Sequence, residues 1–160
     1  LDLLGATFMV RQRPAWHENI GKRQVKAPKV YLRDSGLLHA LLGLADADAL
    51  ESHPKVGASW EGFALDAVVA RLGALPEECH FWATHSGAEL DLLVVRGRVR
   101  VGVEFKRTTA PAMTRSMHAA LGDLRLSRLE VVHAGSQSFP LGTKVRALAL
   151  SRLTEDLKPL

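Results

Sequence analysis

ELDLLVVRGRVRVGVEFKR, residues 89–107, decides how this chain is read. Two apolar, alternating runs flank a short polar turn, so the stretch predicts a β-hairpin. Yet Asp91, Glu104 and Lys106 sit inside the apolar runs. Burying charge is costly unless something compensates for it. Strand side chains alternate between faces. On the return strand Val99, Val101, Val103 and Phe105 point one way, and Arg100, Gly102, Glu104 and Lys106 the other. On the outgoing strand Leu90, Leu92 and Val94 share a face, opposite to Glu89, Asp91, Leu93 and Val95. A turn at Arg96-Gly97 sets Asp91 opposite Gly102 and diagonal to Glu104. A four-residue loop sets Asp91 directly opposite Glu104. Either even loop puts Asp91, Glu104 and Lys106 on one face; an odd loop breaks this unless a bulge restores it.

Two carboxylates within about 5–8 Å of each other then share a face with an ammonium. Like charges that close repel. A divalent cation removes the conflict, since Mg²⁺ takes hard oxygen ligands at about 2.0–2.1 Å, commonly one or two carboxylates plus waters. Gly102 is expected to leave room for a metal or a phosphate to approach. Lys106 is placed to contact a scissile phosphate or to orient an attacking water. The competing reading of the same residues is a surface hairpin with an ordinary cross-strand ion pair.

The remaining sequence bounds these readings. With 160 residues, 47% hydrophobic and 24% charged, the chain has the size and composition of one globular domain with a small appendage. No apolar run of about 18 residues exists, so no transmembrane helix and no membrane partner are expected. The first residue is Leu1, which suggests the trimmed C-terminal part of a longer protein. A single cysteine, Cys79, excludes an internal disulfide framework and fits the reducing cytoplasm. No CxxC or HExxH spacing supports a zinc site. The net charge of +4 is a mild basic bias. Between residues 11 and 33 lie Arg11, Arg13, Lys22, Arg23, Lys26, Lys29 and Arg33 against a single acid, Glu18. This segment is either a solvated basic face or a phosphate-contacting arm.

Along the chain, residues 1–5 read as the end of a helix and 6–16 as a strand stopped by Pro14. Residues 17–28 read as a loop. KVYLRDSG gives a strand, with Asp34 or Ser35 as the N-cap of a helix over LLHALLGL. ADADALESHP is a polar connector with room for one helical turn. SWEGFALDAVVARLG predicts the strongest helix, with Ser59 as N-cap and Glu61 heading the apolar stripe Leu65, Val68, Leu72. CHFWAT predicts a strand before the hairpin. APAMTRSMHAALGDL predicts a helix, LEVVHAG a strand, SQSFPLGTK a loop and VRALAL a last strand. The alternation predicts α/β architecture: a mixed β-sheet flanked by helices.

Asp91 followed by Glu104-Phe105-Lys106 resembles the PD-(D/E)XK nuclease motif, in which an acid ends one strand and an E-x-K follows on the next. Glu61 in SWEGF occupies the place of the helix acid that often joins that metal site. KAPKVYLRDSGLLHALLGL, GASWEGF, FWATHSGAELDLLV and VEFKR resemble, in order, the C-terminal module of a large group of predicted prokaryotic AAA+ ATPases. That module is a domain of unknown function with a restriction-endonuclease-like fold. The resemblance covers residues 1–107 well and the rest loosely. It implies Mg²⁺ or Mn²⁺ bound by Asp91 and Glu104, a catalytic Lys106 and a supporting Glu61. It also implies a nucleic-acid substrate, with DNA the expected partner; on the charge reading of the basic segment, Lys22, Arg23, Lys26 and Lys29 would contact it. Residues 1–27 would be the end of a winged-helix-like connector plus a basic loop, and 28–160 the nuclease-like domain. The ATPase domain would lie upstream, and ATP would belong to it alone, since no G-x-x-x-x-G-K-[ST] loop occurs here. Some related nucleases carry a Gln-containing helix motif after the E-x-K; residues 110–125 offer Arg115, His118 and Arg125 instead.

Other groupings are weaker. His85 and Ser86 lie near Asp91, but no G-x-S-x-G elbow accompanies them. Two functional classes therefore stand: a Mg²⁺-dependent nuclease, or a nuclease-derived module that binds nucleic acid or a protein partner for the ATPase without cutting.

Overall fold

The computed structural model describes residues 2–19 and 21–160; Leu1, in the expected first helix, and Ile20, in the expected loop, lie outside the described residues. A short helix α1 (Asp2–Ala6) leads into β1 (Val10–Arg13), which pairs antiparallel with β2 (Lys29–Leu32). The boundary expected at residue 28 therefore falls between two paired strands. Three helices follow: α2 (Ser35–Leu41), α3 (Ala47–Ser52) and α4 (Val56–Leu72). Asp34 caps α2, its carboxylate accepting the Leu37 N–H at 2.6 Å, and Asp46 does the same for α3 through Ala49. The polar connector thus holds a complete short helix.

The main sheet has six strands: β3 (Cys79–Ala83), β4 (Glu89–Arg96), β5 (Val99–Lys106), β6 (Arg128–His133), β7 (Phe139–Gly142) and β8 (Val145–Ala149). Their spatial order is β3-β4-β5-β6-β8-β7. The β5–β6 and β6–β8 pairs are parallel, and the β3–β4, β4–β5 and β8–β7 pairs antiparallel. Helix α5 (Arg115–Asp123) lies in the β5–β6 crossover, and α6 (Leu153–Asp156) follows β8. This is the mixed, helix-flanked α/β sheet expected from the alternation of elements.

Two apolar clusters fill the two sides of the sheet. One joins Leu65, Val68 and Leu72 of α4 to Leu92, Val94, Val101, Val103 and Phe105. The other joins Met117 and Ala120 of α5 to Trp82, Leu90, Leu93, Leu129 and Val131. Among the described residues no helix is long and apolar enough to cross a membrane.

Three local expectations are corrected. Helix α4 starts at Val56, so Ser59 is not its cap; the side chain is buried inside the helix and bonded to His39 Nε2 at 2.7 Å. Helix α5 starts only after Thr114, whose hydroxyl accepts the Met117 N–H, because Pro111 interrupts the segment before it. SQSFPLGTK contains β7, which Pro140 and Gly142 conceal; proline is tolerated there because β7 is an edge strand.

The hairpin register pairs Arg96 with Val99 and Leu92 with Val103. The turn is therefore Gly97-Arg98, with Gly97 at φ 58, a conformation in which glycine avoids a Cβ penalty. This is the register that the four-residue loop would also have given. Gly102 does not open a path for a ligand. A Cβ placed there would stand 2.6 Å from Leu126 Cδ1 and 3.0 Å from Leu129 Cδ1, and both leucines are fully buried. The glycine admits the apolar layer beneath α5. Gly102→Ala is expected to destabilise the domain by about 1–3 kcal/mol through overpacking, measured as a lower midpoint in urea unfolding with an unchanged m-value.

Candidate active site

The carboxylates meet where the hairpin ladder ends. Between the His80–Leu93 and Trp82–Leu90 pairs, β4 carries one more residue than β3. That bulge falls at Asp91 and Leu92, and it breaks the simple alternation: Leu90 packs on the α5 side and Leu92 on the α4 side. Asp91, released from the regular pattern, turns its carboxylate onto β5. Its Oδ2 accepts the main-chain N–H of Phe105 at 3.0 Å, and the residue is buried. Its Oδ1 faces Lys29 Nζ at 3.4 Å, and Lys29 also pairs with Glu89.

Glu104 lies one residue before the N–H that Asp91 holds, and it is 5% exposed. Lys106 Nζ contacts its Oε1 at 2.7 Å. Its Oε2 is buried and has no hydrogen-bond partner. Burial, followed by the charge of Asp91, pushes the Glu104 carboxyl up to about 7, against the opposing pull of Lys106. Burial works against the Lys106 ammonium, but the bond to Glu104 and the surrounding carboxylates raise it on balance.

Glu61 approaches from α4 and accepts the Tyr31 hydroxyl at 2.9 Å. Burial first, then the charge of Asp91, raises the Glu61 carboxyl above its ordinary value. The Tyr31 phenol is raised by burial and by Glu61. Glu61 thus stands within electrostatic range of Asp91. Among the described residues, however, no three His, Cys, Asp or Glu side chains are grouped closely enough to share a metal ion. Asp91 and Glu104 offer two hard carboxylate donors, one with a free buried oxygen, which suits a cation such as Mg²⁺ or Mn²⁺ completed by water or phosphate oxygens.

The basic segment divides. Lys29 is half-buried within the carboxylate group and stands 5.5 Å from the Phe81 ring centroid, so it is a counter-charge and not a free arm. Lys22 pairs with Asp123 at 2.5 Å. Arg23 and Lys26 are exposed and, with His17 and His85, line an open cavity of about 670 Å³. That cavity borders the Thr84–His85 end of β3, which adjoins the Glu89 end of β4. The sequence reading missed Tyr31 and the counter-charge position of Lys29. Alternation in KVYLR, residues 29–33, carries the signal, because it puts Lys29 and Tyr31 on one face of β2.

Ionisation of Glu104 has a definite sign for stability. Its value in the fold, near 7, exceeds the ordinary 4.5, so the folded state holds a proton that the unfolded chain has released between those values. Its stabilising contribution is complete below pH 4.5 and is lost as pH rises through 7. Glu104→Gln removes this dependence. In EDTA at pH 8 the variant is expected to melt a few degrees above wild type, with the gap closing by pH 5, as followed by circular dichroism.

Comparison with known proteins finds two matching sequence-family models. Residues 1–48 match the Domain of unknown function (DUF8612), and residues 56–153 match the Domain of unknown function (DUF4143). An uncharacterized protein of Mycobacterium tuberculosis and one of Mycobacterium bovis are each 48% identical over 153 residues. The match takes in 96% of this chain and 34% of each relative, so the chain spans about a third of their length. No solved structure matches.

Proposed function

The chain belongs to the DUF4143 family, and we propose that it is a divalent-metal-dependent nuclease-like domain, with a restriction-endonuclease-like core, that cleaves nucleic-acid phosphodiester bonds. One observation carries the reading: a buried Glu104 with one unpartnered carboxylate oxygen, held beside Asp91 and within 2.7 Å of Lys106. Two crowded carboxylates, one with an unpartnered buried oxygen, match the donor chemistry that Mg²⁺ or Mn²⁺ selects. Asp91 and Glu104 would hold the ion, which supplies Lewis acidity toward a phosphodiester and lowers the pKa of water. Asp91 is kept in position by the Phe105 N–H on Oδ2, and its Oδ1 would have to exchange Lys29 for the ion. Lys106 would turn from Glu104 toward the charge that develops on the phosphate oxygens. Glu61, fixed by Tyr31, adds negative potential without being a direct donor. Arg23 and Lys26 lie on the same end of the sheet and supply phosphate contacts, with DNA as the expected substrate. In the full-length protein this domain would work beside an upstream ATPase domain, in the cytoplasm.

A second reading is favoured by a specific feature. Lys29 and Lys106 already offset the carboxylates, and the third acid is tied to Tyr31. A nuclease-derived module that binds nucleic acid or a protein partner without cutting would keep such an arrangement.

The assay that separates the two uses wild type, Asp91→Ala and Lys106→Ala on single- and double-stranded DNA and RNA, with Mg²⁺, Mn²⁺ or EDTA. The nuclease reading expects metal-dependent cleavage by wild type. Asp91→Ala should lose both cleavage and the rise in melting temperature that Mn²⁺ produces. Lys106→Ala should keep the Mn²⁺-induced rise and lose roughly 10²–10³-fold in rate, the scale of one lost electrostatic donor. Wild type that binds nucleic acid but cuts nothing with either metal would leave the binding module.

The basic contacts have their own measurement. Arg23→Ala with Lys26→Ala is expected to weaken DNA binding and to lower the slope of log affinity against log salt by about 2. Fluorescence anisotropy across a salt series measures both quantities.

A further inference from the structure

The β1–β2 ribbon carries a charge imbalance that the carboxylate site does not use. Arg11 pairs across the ribbon with Tyr31, and Arg13 with Lys29. The Arg33 N–H donates to the Met9 carbonyl, which continues the same register. Alternation therefore puts Arg11, Arg13, Lys29, Tyr31 and Arg33 on one face. Lys29 and Tyr31 end at the carboxylates described above. The three arginines do not.

Arg13 is the anomaly. It is 3% exposed, and its Nε and Nη2 are buried with no hydrogen-bond partner. Among the described residues no carboxylate lies within ion-pair distance of Arg13 or of Arg33, whose guanidinium sits over the Phe8 ring at 5.2 Å. Arg11 pairs with Asp66. Burial, and then the charges of Arg13 and Arg33, hold the Arg11 guanidinium below its ordinary value. These arginines line a cavity of about 330 Å³ between the ribbon, the end of α4 and the start of β3, closed by Ala74, Pro76 and Cys79. A buried guanidinium without a partner is strongly unfavourable, and a neighbouring cation makes it worse.

We propose that this cavity binds a phosphate monoester dianion. Three guanidiniums against one carboxylate leave two positive charges in excess. A phosphate monoester carries about −1.5 to −2 at pH 7 and presents three acceptor oxygens. Planar guanidinium forks match those oxygens in pairs. A phosphodiester brings only one charge and fits the excess less well. The dianion can be a free phosphate or the 5′-phosphate end of a nucleic acid. The site uses neither Asp91 nor Glu104, so it stands or falls apart from the nuclease reading.

The test is calorimetric titration of the intact chain with inorganic phosphate in EDTA, with melting curves alongside and ionic strength matched by sodium chloride or acetate. Wild type is expected to bind phosphate with a Kd in the millimolar range or below and to melt higher in it, beyond either matched salt. Arg13→Met should weaken phosphate binding at least tenfold. In phosphate-free buffer it should melt no lower than wild type, because it removes a buried unpaired charge. Arg33→Ala, an exposed position, should weaken binding in the same direction and guards against a folding defect in the first variant. A 5′-phosphorylated oligonucleotide that displaces phosphate at least tenfold better than its 5′-hydroxyl twin assigns the ligand to a nucleic-acid end. Equal displacement by the two assigns it to free phosphate. A wild-type response no greater than with acetate, or unchanged binding in both variants, overturns the proposal.

Discussion

The hydrogen bond from the Phe105 N–H to Asp91 Oδ2 is the join on which the site depends. The β4–β5 ladder runs from Arg96–Val99 to Leu92–Val103. Past that point the Phe105 N–H still needs an acceptor, because a buried main-chain donor is rarely left unpaired. The bulge in β4 lets a side chain serve in place of a carbonyl. In doing so it commits a carboxylate to the interior, next to Glu104. The remaining features of the site respond to that concentration of negative charge. Lys29 and Lys106 approach as counter-charges, Tyr31 holds Glu61, and Glu104 shifts its ionisation toward neutrality.

The N-terminal ribbon belongs to this arrangement. After β1 the chain runs along the free edge of β3: Trp16 donates to the Phe81 carbonyl, Phe81 to that of Pro14, and Val25 to that of Ala83. An exposed edge is thereby covered. The covering segment delivers Lys29 and Tyr31 to carboxylates carried by the helix and hairpin that follow. The residues that match DUF8612 thus complete a site whose acids lie in the residues that match DUF4143. The same ribbon face leads from the carboxylates to the arginine-lined cavity, so it joins a region of excess negative charge to one of excess positive charge.

Much of the fold was legible where local chemistry and tertiary packing agree. The hairpin, the long α4 stripe and the strand at 128–133 follow from periodicity, and Asp34 from capping chemistry. The misreadings occurred where a local signal points the wrong way. Ser59 looks like a cap but is an interior residue satisfied by His39. Pro140 and Gly142 look like a loop but lie on an edge strand. Gly102 looks like an opening but is closed by Leu126 and Leu129. At the site, Asp91, Glu104 and Lys106 stood out because charge interrupts apolar runs. Tyr31 did not, because its importance depends on Glu61 thirty residues away.

The sequence by itself determined the alternating α/β elements, the hairpin and the presence of three charges within it, because propensity and periodicity are local properties of the chain. It also determined that the segment from Arg11 to Arg33 is rich in cations. Which of those cations are spent and which are free was decided only by tertiary structure. Lys29 is consumed by Glu89 and Asp91, Lys22 by Asp123 and Arg11 by Asp66, while Arg13 is buried with no carboxylate partner among the described residues and with Nε and Nη2 unpaired. The position of Asp91 was likewise decided there, since a one-residue bulge between β3 and β4 turned it onto the Phe105 N–H. Charge pairing and strand register are set between segments distant in sequence, and only the packed sheet brings those segments together.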